Sequence, residues 1–248
     1  MNLTLATWDV RTMIPGIESN YLEPDLRKTA VIARELSRLN IDIATLTETR
    51  LADQASLREE EYTFHWIGRL STERRLYGVG FAIRNSFIKC CANAPVGLSD
   101  RVMKLTLSCV DRKIHLLAAY APTLTCAEED KDAFYESLDE AVNSIPVTDS
   151  LLILGDFNAR VGTDHRAWSG VLGPHGIGKM NANGQRLLEF CCNNSLRLSS
   201  TYFAGNVRSK VTWQHPRSKH WHQLDHVISR ARDHNSIYTC SQHAERRL

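Results

Sequence analysis

Leu151-Leu-Ile-Leu-Gly-Asp-Phe-Asn158 reads as a buried strand that ends in chemistry. Four apolar residues in succession leave no polar alternate, the pattern of a strand covered on both faces. Gly155 closes the run, and Asp156 and Asn158 follow at its C-terminal end, where a packed scaffold holds polar groups rigidly at an exposed edge. The same punctuation recurs on either side. Leu3-Thr-Leu-Ala-Thr-Trp8 alternates as a strand and runs into Asp9 and Arg11; Ile41-Asp-Ile-Ala-Thr-Leu46 runs into Thr47 and Glu48. Ile114 to Tyr120 ends at Tyr120-Ala-Pro122, and a late segment carries Leu224-Asp225-His226.

Between these strands lie segments with helical period. Asp25 is placed to cap a helix whose Ile32, Leu36 and Leu39 fall on one face. Thr125-x-x-Glu128 has the form of a capping box ahead of Phe134, Leu138 and Val142. A helix from about 183 to 194 presents Leu187, Phe190 and Cys191 to a core. Val79, Phe81 and Ile83 alternate, as do Val102, Leu105 and Leu107 more loosely, and short strands are expected near 196–202, 211–213 and 224–228. Nothing repeats, and no Gly/Ser/Pro linker interrupts the chain. The expectation is one α/β domain over 1–240 with a two-layer β core, followed by a divergent or truncated tail at 241–248.

Composition excludes several classes. The chain has 248 residues, 43% hydrophobic and 23% charged, with only 13 Gly and 7 Pro, so it is neither low-complexity nor collagen-like. No apolar run approaches the ~18 residues of a membrane span. The N-terminus lacks the basic-then-apolar layout of a signal peptide. Seven Cys, two pairs of them adjacent (Cys90-Cys91 and Cys191-Cys192) and none spaced C-x-x-C, suit reduced thiols better than a disulfide framework or a zinc knuckle. A nuclear or cytoplasmic, non-secreted, non-membrane protein is expected. The net charge of +2 hides an asymmetry: from Arg197 onward nine Lys/Arg face three Asp/Glu, while the rest has 21 basic against 25 acidic residues. Six of the ten His also lie in that basic end, which suits a phosphate backbone as a partner.

If the strand ends converge, they gather a Glu, several Asp, an Asn and a Tyr. Such an oxygen-only set suits Mg²⁺ or Mn²⁺ rather than zinc. A hard cation beside a basic surface points to phosphate-ester chemistry: the cation neutralises the phosphate, Asp156 takes a proton from the attacking water, and Asn158 donates a hydrogen bond.

Six segments in this order, Thr7-Trp-Asp-Val-Arg11, Leu46-Thr-Glu-Thr-Arg50, Gly78-Val-Gly80, Ala119-Tyr-Ala-Pro122, Ile153-Leu-Gly-Asp-Phe-Asn-Ala159 and Leu224-Asp-His-Val227, resemble the endonuclease/exonuclease/phosphatase superfamily. With Asn181-x-Asn-Gly184 leading into Leu187-Leu-Glu-Phe-Cys191, the sequence is similar in particular to the endonuclease domains of non-LTR retrotransposons of the endonuclease–reverse transcriptase type. The resemblance covers residues 1 to about 240. It implies a DNase I-like, four-layered α/β sandwich: two packed β-sheets flanked by helices. It also implies a Mg²⁺- or Mn²⁺-dependent, DNA-nicking phosphodiesterase, with a reverse transcriptase domain in the parent polyprotein as a further partner. Glu48 matches the metal-binding glutamate, with Asp9 a second carboxylate near it. Tyr120 matches the tyrosine beside the scissile phosphate, Asp156 the carboxylate that activates the nucleophile, and Asn158 the amide that positions the phosphate. Asp225 matches the aspartate that orients a later histidine, while Arg11, Asn183, Thr212 and Trp213 fall where related proteins approach DNA.

Two departures stand out. Asp9 occupies the family's Asn position, where extra negative charge attracts a cation but repels phosphate. The family's closing Ser-Asp-His on a last core strand has no counterpart in the 23 residues after Asp225, so the last core strand is expected to be missing. His226 and His243 are the candidate substitutes. Three readings follow: a DNA-nicking endonuclease, an inactive remnant that still binds nucleic acid, or a phosphatase acting on an inositol lipid or a nucleotide.

Overall fold

The computed structural model describes residues 2–14, 27–110 and 112–241. They divide into two compact units, Met1–Tyr120 and Ala121–Leu248. Asp25, expected to cap the first helix, lies outside the described residues.

The first unit holds β1 (Leu5–Asp9), α1 (Lys28–Arg38), β2 (Ile43–Thr47), β3 (Gln54–Arg58), β4 (Tyr62–Ile67), β5 (Val79–Arg84), β6 (Val96–Ser99), β7 (Val102–Ser108) and β8 (Lys113–Tyr120). One sheet runs β1-β2-β5-β4-β3, with β1 and β2 parallel and the rest antiparallel. A second layer is the antiparallel run β6-β7-β8. Strands β2 and β5 pack against β8, and β5 against β7. This stacking explains why all of β2 is buried. Ala44 and Leu46 of β2 join Tyr62, Phe64 and Ala82 in a core closed by Ile32, Ala33 and Leu36 of α1. The alternate residues Ile43, Thr45 and Thr47 fall on the opposite face. In β5, Val79, Phe81 and Ile83 are buried as their alternation suggests, and Gly80 and Ala82 between them are buried too. A strand covered on both faces needs no polar alternate, and small residues serve there.

The second unit holds α2 (Glu128–Asn143), β9 (Ser150–Asp156), α3 (Ala182–Asn193), β10 (Leu196–Arg197), β11 (Trp213–Gln214), β12 (Trp221–His222) and β13 (Asp225–Arg230). Antiparallel β13 lies between β9 and β10, and β11 and β12 form a separate hairpin. Helix α2 buries Phe134, Leu138 and Val142, and α3 buries Leu187, Phe190 and Cys191, the faces their spacing predicts. All seven cysteines are free.

Several local expectations are corrected. The capping box at Thr125 and Glu128 does not form. The N-cap of α2 is Ala127, without a side-chain cap. Thr125 pairs with Thr123 (3.1 Å), and the Glu128 carboxylate is taken by Lys131 (2.7 Å) and by Arg186 of α3 (2.8 Å). The strand expected over 196–202 shrinks to two residues followed by a helical turn at Ser199–Thr201. Among the described residues no strand follows β13.

Asn181 caps α3 and also fixes its approach. Its Oδ1 accepts from the Gly184 amide (2.8 Å) and from the Arg160 amide (3.0 Å). Gly184 is required by that closeness, because a Cβ there would collide with the Arg160 carbonyl oxygen. The first turn of α3 is thereby seated on the loop that follows β9.

Candidate active site

In the first unit, parallel pairing places the C-terminal ends of β1 and β2 at one edge, with Asp9 opposite Thr47. Glu48 follows directly. Its Oε1 accepts from the Tyr120 hydroxyl at 2.9 Å and its Oε2 from Arg50 Nη2 at 2.7 Å. Tyr120, at the end of β8, is buried. The Asp9 carboxylate accepts from the Arg11 amide (2.8 Å), an Asx-type turn that leaves the Arg11 side chain exposed. Arg11, Glu48 and Arg50 all take left-handed backbone angles, φ 57°, 56° and 53°. Strained residues of this kind persist where the surroundings fix them, and they concentrate at functional sites.

Part of that fixing comes from Gly78, at φ 137°, whose carbonyl accepts from the Thr49 amide (3.2 Å). A Cβ on Gly78 would strike Thr49 Oγ1 and crowd the Arg50 amide nitrogen at 3.2 Å. Gly78→Ala should therefore lower stability by about 1–3 kcal/mol. The denaturation midpoint reads this directly, and an unchanged midpoint would show that the 48–50 turn yields without strain.

In the second unit, β9 delivers Asp156 to its C-terminal end, buried at 8% exposure. Asp156 Oδ1 accepts from the Asn158 amide at 2.7 Å, and Asn158 turns back at φ 47° with Nδ2 on the Ala121 carbonyl (2.9 Å). Asp225 stands directly opposite Asp156 in the β13–β9 register, so the two side chains leave the same face of the sheet. Thr212 Oγ1 accepts from the Leu224 and Asp225 amides (3.0 and 3.2 Å) and seats the start of β13.

The remaining sequence-derived assignments divide. Arg11 and Trp213 are exposed, as contact with a large partner requires. Asn183 is corrected: it is 4% exposed, and its Nδ2 donates to the carbonyls of Pro122 (3.0 Å) and Asn158 (3.2 Å), so it braces two loops instead of reaching outward. Thr212 is likewise a brace, spent on β13. Trp213 stacks on His222 across the β11–β12 hairpin (6.1 Å, 23°) and meets the edge of His215 (5.5 Å). Trp221 is half exposed beside it. Burial, then the neighbouring charges of Arg160, His220 and His215, hold the His222 pKa below the ordinary value.

His226 is also corrected as a substitute for the missing terminal histidine. It is 1% exposed, with Nε2 3.0 Å from the Ala159 carbonyl and Nδ1 3.3 Å from Ser200 Oγ. Burial pushes its pKa down to about 4 from 6.5. The folded chain keeps His226 neutral where the unfolded chain would take up a proton, so its stabilisation is complete above pH 6.5 and is lost as pH falls toward 4. The span corresponds to about 3 kcal/mol. His226→Gln should flatten the fall in urea midpoint between pH 7 and pH 5, and a wild-type midpoint insensitive to that change would refute the burial argument. His243 lies outside the described residues.

Arg50 was not singled out by sequence reasoning, although it stands two residues beyond Glu48 in the quoted segment. The donors fit a hard divalent cation in kind. Mg²⁺ takes one or two carboxylates and keeps much of its water, and Glu48 with Asp9 at one sheet edge offer such a pair. No trio of His, Cys, Asp or Glu gathers among the described residues.

Both features, Glu48 on Tyr120 and the Gly-Asp-Phe-Asn turn closing β9, lie in a chain whose superfamily comprises hydrolases acting on phosphodiester bonds. The chain belongs to the Endonuclease/Exonuclease/phosphatase family, whose profile matches residues 6–243. Craniofacial development protein 2 of Bos taurus is 30% identical over 235 residues, covering 94% of this chain and 37% of that protein. The protein of the same name from Tragulus javanicus is also 30% identical, covering 94% and 38%. The chain thus spans little more than a third of these relatives. Among solved structures, AP endonuclease LMAP from Leishmania major superposes with TM-score 0.63 at 16% identity, covering 92% of this chain and 79% of that one. The 3′ phosphatase NExo from Neisseria, bound to product DNA hairpin, also gives 0.63, at 18% identity over 94% and 89%. The endonuclease domain of TRAS1, a telomere-specific non-LTR retrotransposon, gives 0.54 at 14% identity over 82% and 78%. These likenesses establish the fold as the expected four-layered α/β sandwich, two β-sheets with flanking helices. No helix among the described residues is long and apolar enough to cross a membrane.

Proposed function

We propose that the chain is a divalent-metal-dependent phosphodiesterase that nicks DNA, of retrotransposon origin. The observation that carries this reading is Glu48, a carboxylate held on Tyr120 and Arg50 at the shared end of two parallel strands. Glu48, with Asp9, would hold Mg²⁺ or Mn²⁺. When bound, the cation supplies neutralisation of phosphate charge. Asp156 accepts the proton of the attacking water. Its own bond to the Asn158 amide holds the carboxylate still, and the second N–H of the Asn158 side chain donates to a phosphate oxygen. The Tyr120 hydroxyl donates to Glu48 Oε1 and holds that carboxylate, and Asp225 stands opposite Asp156 on the neighbouring strand. DNA is the substrate, with Arg11 and the exposed Trp213 hairpin, which also carries Arg217 and Lys219, as contacts to its backbone and bases. A reverse transcriptase domain in a longer polyprotein remains the proposed partner.

One observation favours a second reading, DNA binding without cleavage. Asp9 adds a negative charge where the resembling family has an amide. A supercoiled-plasmid assay with Mg²⁺, Mn²⁺ and EDTA separates the two. Metal-dependent nicking supports the hydrolase. Intact plasmid with salt-dependent binding by folded protein supports the second reading, and phosphate release from small phosphoesters without nicking would move the substrate away from DNA.

A further inference from the structure

Behind Tyr120 lies a buried cation that the proposed roles leave unused. Arg101 occupies the tight turn between β6 and β7 and is 8% exposed. Its guanidinium carbon sits 3.6 Å from the Tyr77 ring centroid and 5.3 Å from that of Tyr120. Its Nη1 donates to the Tyr120 carbonyl (3.1 Å), while the Tyr120 amide donates to the Arg101 carbonyl (2.9 Å). The two tyrosine rings touch at a centroid distance of 6.5 Å. Arg69 lies 5.0 Å from the Tyr77 ring and pairs with Asp100, the neighbour of Arg101 in the turn. No carboxylate pairs with the Arg101 guanidinium among the described residues.

Burying a cation without an acidic partner is expensive, and an apolar side chain of similar size would fill this turn at less cost. Aromatic faces and a carbonyl offset the expense only with a planar, forked cation in a fixed orientation. Both of those partners belong to, or touch, the residue whose hydroxyl rests on Glu48. We infer that Arg101 is a positioning residue for Tyr120. By clamping the ring and the backbone of Tyr120 together, it keeps the phenol on Glu48 Oε1 and so orients the carboxylate. The catalytic consequence rests on the hydrolytic reading above; the positional one does not.

The test therefore has two arms, both on the full chain. In protein labelled with ¹³C at tyrosine Cζ, with Tyr120 assigned through Tyr120→Phe, Arg101→Met should displace the Tyr120 resonance. Arg101→Lys, which keeps the charge and loses the fork, should displace it less and in the same direction, and it decides the question if the Met variant does not fold. An unmoved Tyr120 resonance in a folded variant overturns the inference. In the nicking assay Arg101→Met should lower kcat roughly 10-fold or more with little change in KM, and should add almost nothing in a Tyr120→Phe background. Losses that multiply across the double variant also overturn it. If wild-type protein cuts nothing, the hydrolytic reading fails, while the displacement of the Tyr120 resonance still decides whether Arg101 clamps that ring.

Discussion

On the proposed function, Glu48→Gln should lower the Mg²⁺-dependent nicking rate by about 10³-fold, equivalent to about 4 kcal/mol of barrier, with the fold intact. Glutamine keeps the length and an acceptor for the Tyr120 hydroxyl but removes the charge that faces Arg50 and would face a cation. Alanine is the harsher variant, because it strips both partners at once, and Arg50 Nε is already buried without an acceptor. The glutamine variant therefore isolates charge from packing. Its effect should appear equally in Mn²⁺ affinity followed by electron paramagnetic resonance, with the melting temperature nearly unchanged. Nicking within threefold of wild type would remove Glu48 from the cation and leave it a structural partner of Tyr120.

Asp156→Asn should have an effect of similar size, about 10²–10⁴-fold on the rate at saturating DNA, the range for loss of a proton acceptor. The substitution is conservative in shape. An asparagine Oδ1 can still accept from the Asn158 amide, so the left-handed turn at Asn158 and its bond to Ala121 survive. With that turn preserved, stability should be nearly unchanged. DNA affinity at fixed salt should not weaken. A variant that folds, binds DNA and nicks at the wild-type rate would exclude Asp156 as the proton acceptor and shift attention to Asp225.

Much of this molecule is legible in its sequence because its strands obey local rules. Leu151, Ile153 and Leu154 are buried in a strand as the sequence suggests, with Leu152 partly exposed between them, and the faces of α2 and α3 follow from residue spacing. The polar residues at strand ends are legible for the same reason: an apolar run that stops abruptly at Asp or Glu marks the sheet edge.

What escapes the sequence is the use to which individual polar atoms are put. Asn183 and Thr212 read as surface contacts, yet each is spent on backbone groups, Asn183 on partners 61 and 25 positions away and Thr212 on partners 12 and 13 positions away. Thr125 and Glu128 have the form of a cap, yet Arg186 and Lys131 compete for the glutamate and win. His226 follows an aspartate at a strand start and reads as polar, but it faces the interior and takes a carbonyl from the loop after β9.

By itself the sequence determined the three helices and most of the central strands, the family, and the carboxylates at the strand ends, but it gave no sign of β3, β4, β6 or β12. Those properties follow from periodicity and from short motifs that neighbouring residues enforce. Only the tertiary structure decided that Glu48 rests between Tyr120 and Arg50, that Arg101 packs on Tyr120, and that His226 is a neutral core residue. Hydrogen bonds and ring contacts between residues tens of positions apart depend on where the chain returns in space, and no local pattern encodes that return.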